Sequence, residues 1–424
     1  MRSRTVLLPT IAMLFGSSTA MAMDDFGLQI HGFASQGYLR TDGDLFVNGL
    51  YGRDTNSGTF ELNEFAVNVT ATPIDRLRIG AQFIAYDLGK YGNDEVQIDW
   101  AFGQYQIPTE INWLDANFVA GRFKTGHGLY NDFRDLDMTR TSVFLPRSTY
   151  SASFRDFFLA TNGAQLNSTL RNESLGSLDL SGFVGTQNVD SDEGPIYDIF
   201  KDGIAKIPLP AGMKFNLQSA ESFIMERMSG GYGTWNTPLD GLRLKVSNLY
   251  VHDLRMNNGV VGVSGGAVPA GTTTSINIYV HHWFDIMTGA EYQVSDFTFA
   301  AEYSNQYFKS TNDTGSFNTG FGIAPATSTN TTSRTQAAYG SANYQLTALP
   351  GRWSNFHLQS VYNWQQYRLG STPNTYERSI MFAVRYDIAD HFLVKAEFER
   401  VQNKTSTGQH VYGNVFSLKT TFDF

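Results

Sequence analysis

The sequence predicts an all-β chain closed into a transmembrane antiparallel β-barrel of about 16 strands, with short periplasmic turns and long outer loops. Three observations predict it. A secretory leader precedes a chain without a single cysteine. Apolar and polar residues alternate with period two from one end of the chain to the other, and charges stand on the second face. The connections between alternating stretches are short and long by turns.

The leader is read from residues 1–22. Arg2 and Arg4 form a positive n-region, Val6 to Phe15 is a short apolar stretch, and Ala20-Met21-Ala22 fits a small-residue cleavage site. The apolar run is about half the ~20 residues that a spanning helix needs, so a signal peptide is expected rather than an anchor. The mature chain is then expected to run over 23–424 as one barrel domain. Removing Arg2 and Arg4 with the leader leaves 29 basic against 40 acidic residues, net −11. Much of that acidity belongs to expected outer loops, so the net charge says little about the interior.

Composition bounds the class. Aromatic residues make up 14% of the chain, with 21 Tyr and 32 Phe, and mean hydropathy is −0.25. That value and the lack of any long apolar run exclude a helical membrane protein. No Pro-rich linker, charge block or helix-period stretch of useful length divides the chain. With no cysteine, stability in an oxidising compartment comes from something other than disulfides. A closed ladder that satisfies every backbone group meets that need.

The alternation is explicit in four places. Leu77, Ile79, Ala81, Phe83 and Ala85 share one face, against Arg78, Gly80 and Gln82. Val96, Ile98, Trp100 and Phe102 oppose Gln97 and Asp99. Phe297, Phe299, Ala301 and Tyr303 oppose Thr298, Glu302, Ser304 and Gln306. Phe392, Val394, Ala396 and Phe398 oppose Lys395, Glu397 and Glu399. One such strand fits any half-buried sheet. Recurrence with so many charges on the second face fits a membrane wall around a wet lumen.

Short turns are expected near Pro73 to Asp75, Pro108 to Trp113, Asn172 to Gly176, Thr237 to Gly241, Ser295-Asp296, Ala348 to Arg352 and Ala389 to His391. Longer loops, rich in Gly, Asn, Thr and Asp, are expected near 41–57, 87–94, 124–161, 188–222, 253–273, 309–333, 369–375 and 403–410. Seven turns and eight loops give sixteen strands, with both termini on the periplasmic side. The stretch Ser275 to Val294 reads as one long strand, with two as the alternative. Trp113, Trp235 and Trp353 fall at periplasmic strand ends, where amphipathic rings favour the interface.

At the C-terminus Phe416, Leu418, Thr420, Phe422 and Phe424 alternate with Ser417, Lys419, Thr421 and Asp423. This resembles the terminal strand of Gram-negative outer-membrane proteins. The resemblance implies that the barrel-assembly machinery reads Phe424 as its signal. Gly121-Arg122-Phe123-Lys124, running into Gly126-His127-Gly128-Leu129-Tyr130-Asn131-Asp132, looks like the strand-to-third-loop passage of the sixteen-stranded Gram-negative porins. Architecturally the chain from Met23 to Phe424 is similar to those porins, including their substrate-selective branch.

The resemblance implies a third loop, here 124–161, folded into the lumen as a constriction. It also implies passive passage of small polar or ionic solutes, a homotrimer, and residence in the outer membrane among bilayer lipid and lipopolysaccharide. The short second loop departs from the family, in which that loop latches onto the neighbouring subunit.

Selectivity depends on what lines such a constriction. The expected lining is Arg122, Lys124, Arg134, Asp135, Arg140, Arg147 and Arg155, with His127, Asp132, Asp137 and Asp156 nearby. Inward wall positions carry Arg78, Arg243, Lys245, Arg385 and Lys395 against Asp99, Glu302, Glu397 and Glu399. Both signs are present, so the interior is either a cationic eyelet or a braced, nearly neutral one. A barrel enzyme would need a Ser/His or Asp/His constellation on a wall. The eight histidines are scattered except His281-His282, whose side chains face opposite ways, so no enzyme is expected. No cofactor is implied, no spacing is diagnostic of a metal, though Asp190-Ser191-Asp192-Glu193 is acidic enough for calcium, and no basic stripe suggests nucleic acid. A non-transport barrel, adhesive or structural, is the alternative reading.

Overall fold

A sheet with one face in hydrocarbon and the other in water is stable only without edges, because an open edge strands backbone donors and acceptors. The computed structural model shows how this chain removes them. It describes residues 26–43, 55–89, 92–151, 155–187, 194–205, 207, 209, 212–370, 374–404 and 408–424. The expected leader at 1–22 and the acidic stretch Asp190-Ser191-Asp192-Glu193 lie outside the described residues.

The strands in chain order are β1 (Gln29–Gly43), β2 (Asn63–Ile74), β3 (Leu77–Asp87), β4 (Gln97–Ile107), β5 (Leu114–Lys124), β6 (Ala160–Asn172) and β7 (Gly176–Thr186). An interrupted β8 follows (Lys214–Ser219 and Ser222–Asn236), both pieces pairing with β9 (Leu242–Ser264). Then come β10 (Thr273–Val294), β11 (Phe297–Thr314), β12 (Thr327–Gln345), β13 (Phe356–Leu369), β14 (Thr375–Ala389), β15 (Phe392–Lys404) and β16 (His410–Asp423). Each pairs antiparallel with its neighbours, and β1 pairs with both β2 and β16, so the sixteen strands close. The turns all fall on one side, where β1 begins and β16 ends.

The alternation dictates the faces. On β11, Phe297, Phe299 and Tyr303 are exposed on the outer wall, whereas Glu302, Ser304 and Gln306 are buried inside. On β15 the outward Phe398 alternates with buried Lys395, Glu397 and Glu399. Trp113, Trp235 and Trp353 are exposed at the short-turn ends, as amphipathic rings at an interface would be.

Three sequence expectations need correction. The first concerns β4. Phe83 pairs with Ile98 and Gln82 with Trp100, so Asp99 is an extra residue, a β-bulge. Past the bulge the faces invert. Trp100 and Phe102 stand opposite Gln82 and Gly80 on the inner wall, not on the outer face with Val96 and Ile98. The second concerns loops. The loops expected at 253–273 and 309–333 shrink to 265–272 and 315–326, because β9 and β10 run for 23 and 22 residues and β11 and β12 for 18 and 19. The strand ladder continues above the membrane wherever a neighbour is there to pair. Ser275 to Val294 is a single strand with a register shift beside His281. The third concerns helices. Gly194–Ala205 is an α-helix (α2), after a five-residue α1 at Arg155–Leu159. Tyr197, Phe200 and Ile204 of α2 bury themselves on the inner wall of the upper barrel, against Phe223, Met225 and Leu254.

Phe424 closes the seam. Its N–H donates to the Gly32 carbonyl and its carbonyl accepts from the Gly32 N–H, both at 3.0 Å, and its ring lies outward beside Phe422. Deleting Phe424 removes both bonds and the expected assembly signal together. Folded barrel in the outer membrane should fall severalfold, with precursor accumulating in the periplasm. Fractionation and heat-shift electrophoresis measure this, and an unchanged yield argues against the role.

Candidate functional site

Residues 125–159 leave β5 and return to β6 inside the barrel. Thr125 N–H donates to the Leu159 carbonyl at 2.9 Å, so the two ends meet at the wall. Gly128, at φ +70°, turns the chain inward where a side chain would collide with Tyr150 and Met287. The apolar residues of the segment then find inner-wall partners. Val143 and Phe144 pack on Leu39, Leu62, Ile84 and Tyr86. On the far side Leu129, Tyr130, Leu145 and Tyr150 pack on Met287, Tyr339, Val361 and Met381. Short 3₁₀ turns at Asn131–Phe133 and Asp137–Thr139 fold what lies between. Phe154 and the side chains of Asp156 and Phe157 lie outside the described residues.

Polar contacts tie this segment to the wall at many points. Asp137 is buried at the β15–β16 wall. Lys419 Nζ meets its carboxylate at 2.5 Å, Thr421 donates to it at 3.2 Å, and Arg140 pairs with it from the same turn. Lys395, itself fully buried, donates to the Asp137 and Ser142 carbonyls at 2.6 and 3.1 Å. Glu397 accepts from the Val143 and Phe144 N–H groups at 2.7 and 3.2 Å. Arg385 donates to the Met138 carbonyl at 2.6 Å. Across the lumen, Glu302 accepts from Leu129 N–H at 2.7 Å, from Tyr339 at 2.8 Å and from the Tyr150 hydroxyl. Burial and the adjacent Glu302 hold the Tyr150 phenol well above its ordinary range, so it stays a donor. Ser148 donates to the Ala338 carbonyl at 3.0 Å.

A second node sits at β2, β4 and β5. Lys124 Nζ lies 2.6 Å from Asp99 and 2.5 Å from Asp135. Arg155 Nη2 lies 2.5 Å from Asp135 and 2.8 Å from Glu64, with its guanidinium over the Tyr86 ring. Burial raises the Asp135 and Asp137 carboxyls, but the cations around each more than reverse this and hold both below the usual carboxylate range.

The four arginines of the segment therefore do not form a bare cationic ring. Arg140 pairs with Asp137, Arg155 with Asp135 and Glu64, and Arg147 with Glu377 and Glu399 at 3.2 and 3.6 Å. Arg147 and Arg155 are buried. Arg134 is only partly buried, and it borders the small cavities on both flanks of the segment. It donates to Asn131 Oδ1 and the Tyr150 carbonyl. Arg122 donates to the Ile98 and Asp99 carbonyls at 3.1 and 2.9 Å. Among the wall residues, Arg243 pairs with Glu291 at 3.0 Å, Lys245 lies over the Tyr232 ring, and Arg78 is exposed low on β3. Glu64, Lys419, Asp285 and Glu377 were not among the expected site residues, although strand parity places each on an inner face.

Ser247, His127 and Asp285 also come together. His127 Nε2 is 3.2 Å from Asp285 and Nδ1 is 3.4 Å from Ser247 Oγ. The order suggests a nucleophile and its base, yet Ser247 is 2% exposed and its oxygen accepts the Gly128 N–H at 2.8 Å. A buried hydroxyl held by the segment's own backbone offers no approach to a substrate carbonyl. The arrangement anchors the turn at Gly128.

The inner wall of β3 to β8 is different. Below the apolar patch under α2 it carries Gln104, Asn117, Gln165, Asn167, Asp179 and Thr234, all partly exposed, and the inserted segment is tied elsewhere. Asn167 donates to Asn117 at 2.9 Å and Thr169 to Asp179 at 2.7 Å, so this wall is hydrophilic and largely neutral. Among the described residues no group of three His, Asp or Glu is placed to hold a metal ion.

No protein-family model and no curated protein matches the chain. Solved structures do. OmpT of Vibrio cholerae, an outer membrane protein, is 13% identical at TM-score 0.53, covering 95% of this chain and 98% of that one. The outer membrane channel DcaP of Acinetobacter baumannii is 10% identical at TM-score 0.52, with coverage of 95% and 98%. OmpF of Salmonella typhi is 12% identical at TM-score 0.51, again over 95% and 98%. At such identities the likeness is one of fold, that of a sixteen-stranded outer-membrane barrel of the porin kind.

Proposed function

We propose that this porin-like outer-membrane barrel is a passive channel for small hydrophilic solutes, narrowed by residues 125–159, and not an enzyme. The observation that carries the reading is the docking of that segment. It crosses a polar lumen and is held from β9 round to β16 and on to β2 and β4 by buried ion pairs and hydrogen bonds. A structural or adhesive barrel has no need of a braced crossing inside its lumen. Rings of charge set the field of a narrow pore, and here nearly every charge has its counter-charge beside it. The passage runs along the amide-rich β3–β8 wall, and the partly buried Arg134, which borders cavities on both flanks of the segment and acts on Asp135, contributes to the field of the segment.

Single-channel recording in a salt gradient tests this. Discrete conductance steps with a reversal potential near zero are expected, reflecting weak selectivity. Arg134→Ala should move the reversal potential toward cation preference, whereas Arg147→Ala should alter gating noise more than selectivity. A purified barrel that inserts but conducts nothing overturns the channel reading.

A further inference from the structure

The wall left free beside the inserted segment is built for solutes without charge. Across β4 to β8 the barrel register places Gln106, Asn117, Asn167, Ser181 and Tyr232 directly opposite one another, one per strand, on the inner face. All five are partly exposed. With strands ~4.8 Å apart the row is about 19 Å long, and the ~40° tilt of the strands slopes it through the lumen rather than around it at one height. It ends at the constriction, since a side chain at Gly126, where the inserted segment leaves β5, would collide with the Tyr232 ring.

Hydrogen bonds line up the amides of this row. Gln165, one row above, donates to Asn167 Oδ1 at 2.6 Å, and Asn167 donates to Asn117 Oδ1 at 2.9 Å. That leaves a carbonyl at Gln165 and N–H groups at Asn117 for a solute. The charges of the row beneath are already taken. Asp115 pairs with Arg171, and Asp179 accepts from Thr169 and Asn236 at 2.7 and 3.0 Å. Lys245 is buried, with its ammonium 4.7 Å from the centre of the Tyr232 ring. A carboxylate or ammonium passing along the row gives up hydration there and meets no free counter-charge.

The bulge at Asp99 adds an aromatic surface. It turns Trp100 and Phe102 inward, with ring centroids 5.3 Å apart, on the strand that carries Gln104 and Gln106. Beside Phe102 the inner wall is bare, because its cross-strand neighbours are Gly80 and Gly121, and Gly163 follows on β6. A Cβ at Gly121 would lie 2.4 Å from the Ala101 carbonyl oxygen, and its φ is +122°, so glycine is required. The two rings thus stand beside open backbone, with room for a flat ring alongside them.

A pyranose matches both features. Its C–H face is apolar and stacks on an aromatic ring, and each hydroxyl on its rim donates and accepts at once, as a carboxamide does. We infer that this wall is a binding track for uncharged saccharides. A sugar ring stacks on Trp100 and Phe102, and its hydroxyls pass along the row from Gln106 to Tyr232. The inference rests on the channel reading above and names the solute class for the same lumen.

The test uses the full barrel in planar bilayers, with sugar added to the salt solution and the single-channel current recorded. Maltose should reduce the current saturably, whereas polyethylene glycol of the same hydrodynamic size should reduce it linearly. Glucuronate should need severalfold higher concentrations than glucose for half-saturation. The N117A/N167A double variant, confirmed as folded by heat-shift electrophoresis, should raise the half-saturating maltose concentration about tenfold, as two lost hydrogen bonds would. W100A should act in the same direction, and W100F should recover most of the loss. R352Q, in the β12–β13 turn, should behave like the parent. A conducting barrel that maltose affects only as polyethylene glycol does overturns the inference and leaves the channel reading standing. So does unchanged half-saturation in N117A/N167A, or equal half-saturation for glucose and glucuronate. A barrel that conducts nothing overturns the channel reading instead. The track is then read in detergent from the difference in tryptophan emission between the parent and W100F. Saturable quenching by maltose upholds it, and no quenching overturns it.

Discussion

Asp137→Ala releases the inserted segment from the β15–β16 wall. In the parent, Asp137 satisfies Lys419, Arg140 and Thr421 and sits beside Lys395, all in a buried pocket. Removing the carboxylate takes from buried Lys395 its one carboxylate neighbour among the described residues and leaves Lys419 with Glu64 alone, 2.6 Å away, and losing one partner of a buried pair costs about 3–5 kcal/mol. The barrel ladder is untouched, so the loss falls on the segment. The expected readouts are protease cleavage within 125–159 at concentrations the parent resists, and noisy, enlarged conductance steps. Asp137→Asn keeps the shape and should give a smaller effect of the same sign. The carboxyl is held below its ordinary range, so its stabilisation is present above the unfolded value of ~3.9 and lost only as pH falls through the lower folded value. Docking should therefore survive at pH 5 in the parent. Protease resistance equal to the parent's in Asp137→Ala would show that the apolar contacts of Val143 and Phe144 alone hold the segment.

Replacing residues 128–158 by a short glycine-containing link enlarges the channel several-fold. The ends permit this, because Lys124 pairs with Ala160 and Thr125 bonds Leu159, so little chain is needed to bridge them. The β5–β6 ladder from Leu114–Leu170 to Lys124–Ala160 remains, and the barrel should still fold and resist heat in detergent. The inner wall then loses its plug of aromatic side chains and exposes Lys395, Lys419, Glu302 and Glu397 to water. Conductance should rise, and larger uncharged sugars should enter in liposome-swelling assays. If this deletion leaves conductance unchanged while shortening 188–213 raises it, α2 and its apolar patch form the narrowest point, and the constriction belongs to the fourth outer loop.

Within the candidate site, charge type was legible and partnership was not. Arg140, Arg147 and Arg155 stand out in the sequence as cations on one long connection, but their partners are up to 252 residues away, as in Arg147–Glu399. Strand parity marks Glu64 and Lys419 as inward, and nothing local says that Asp137 and Arg155 meet them. The Ser247–His127–Asp285 cluster shows the same limit, since scattered residues met only when the segment folded across the lumen.

The sequence by itself determined the barrel, its strand faces and the seven short turns, because a period-two pattern and turn chemistry are local properties that each strand carries alone. Tertiary structure alone decided the bulge at Asp99, which turned Trp100 and Phe102 inward, and the helix over Gly194–Ala205. It also decided the height of β9 and β10 above the membrane and the pairing of every buried charge. These depend on which neighbour lies across the lumen or the ladder. A carboxylate buried between the segment and the wall takes whichever cation the closed wall brings to it, and that choice is made by closure of the barrel.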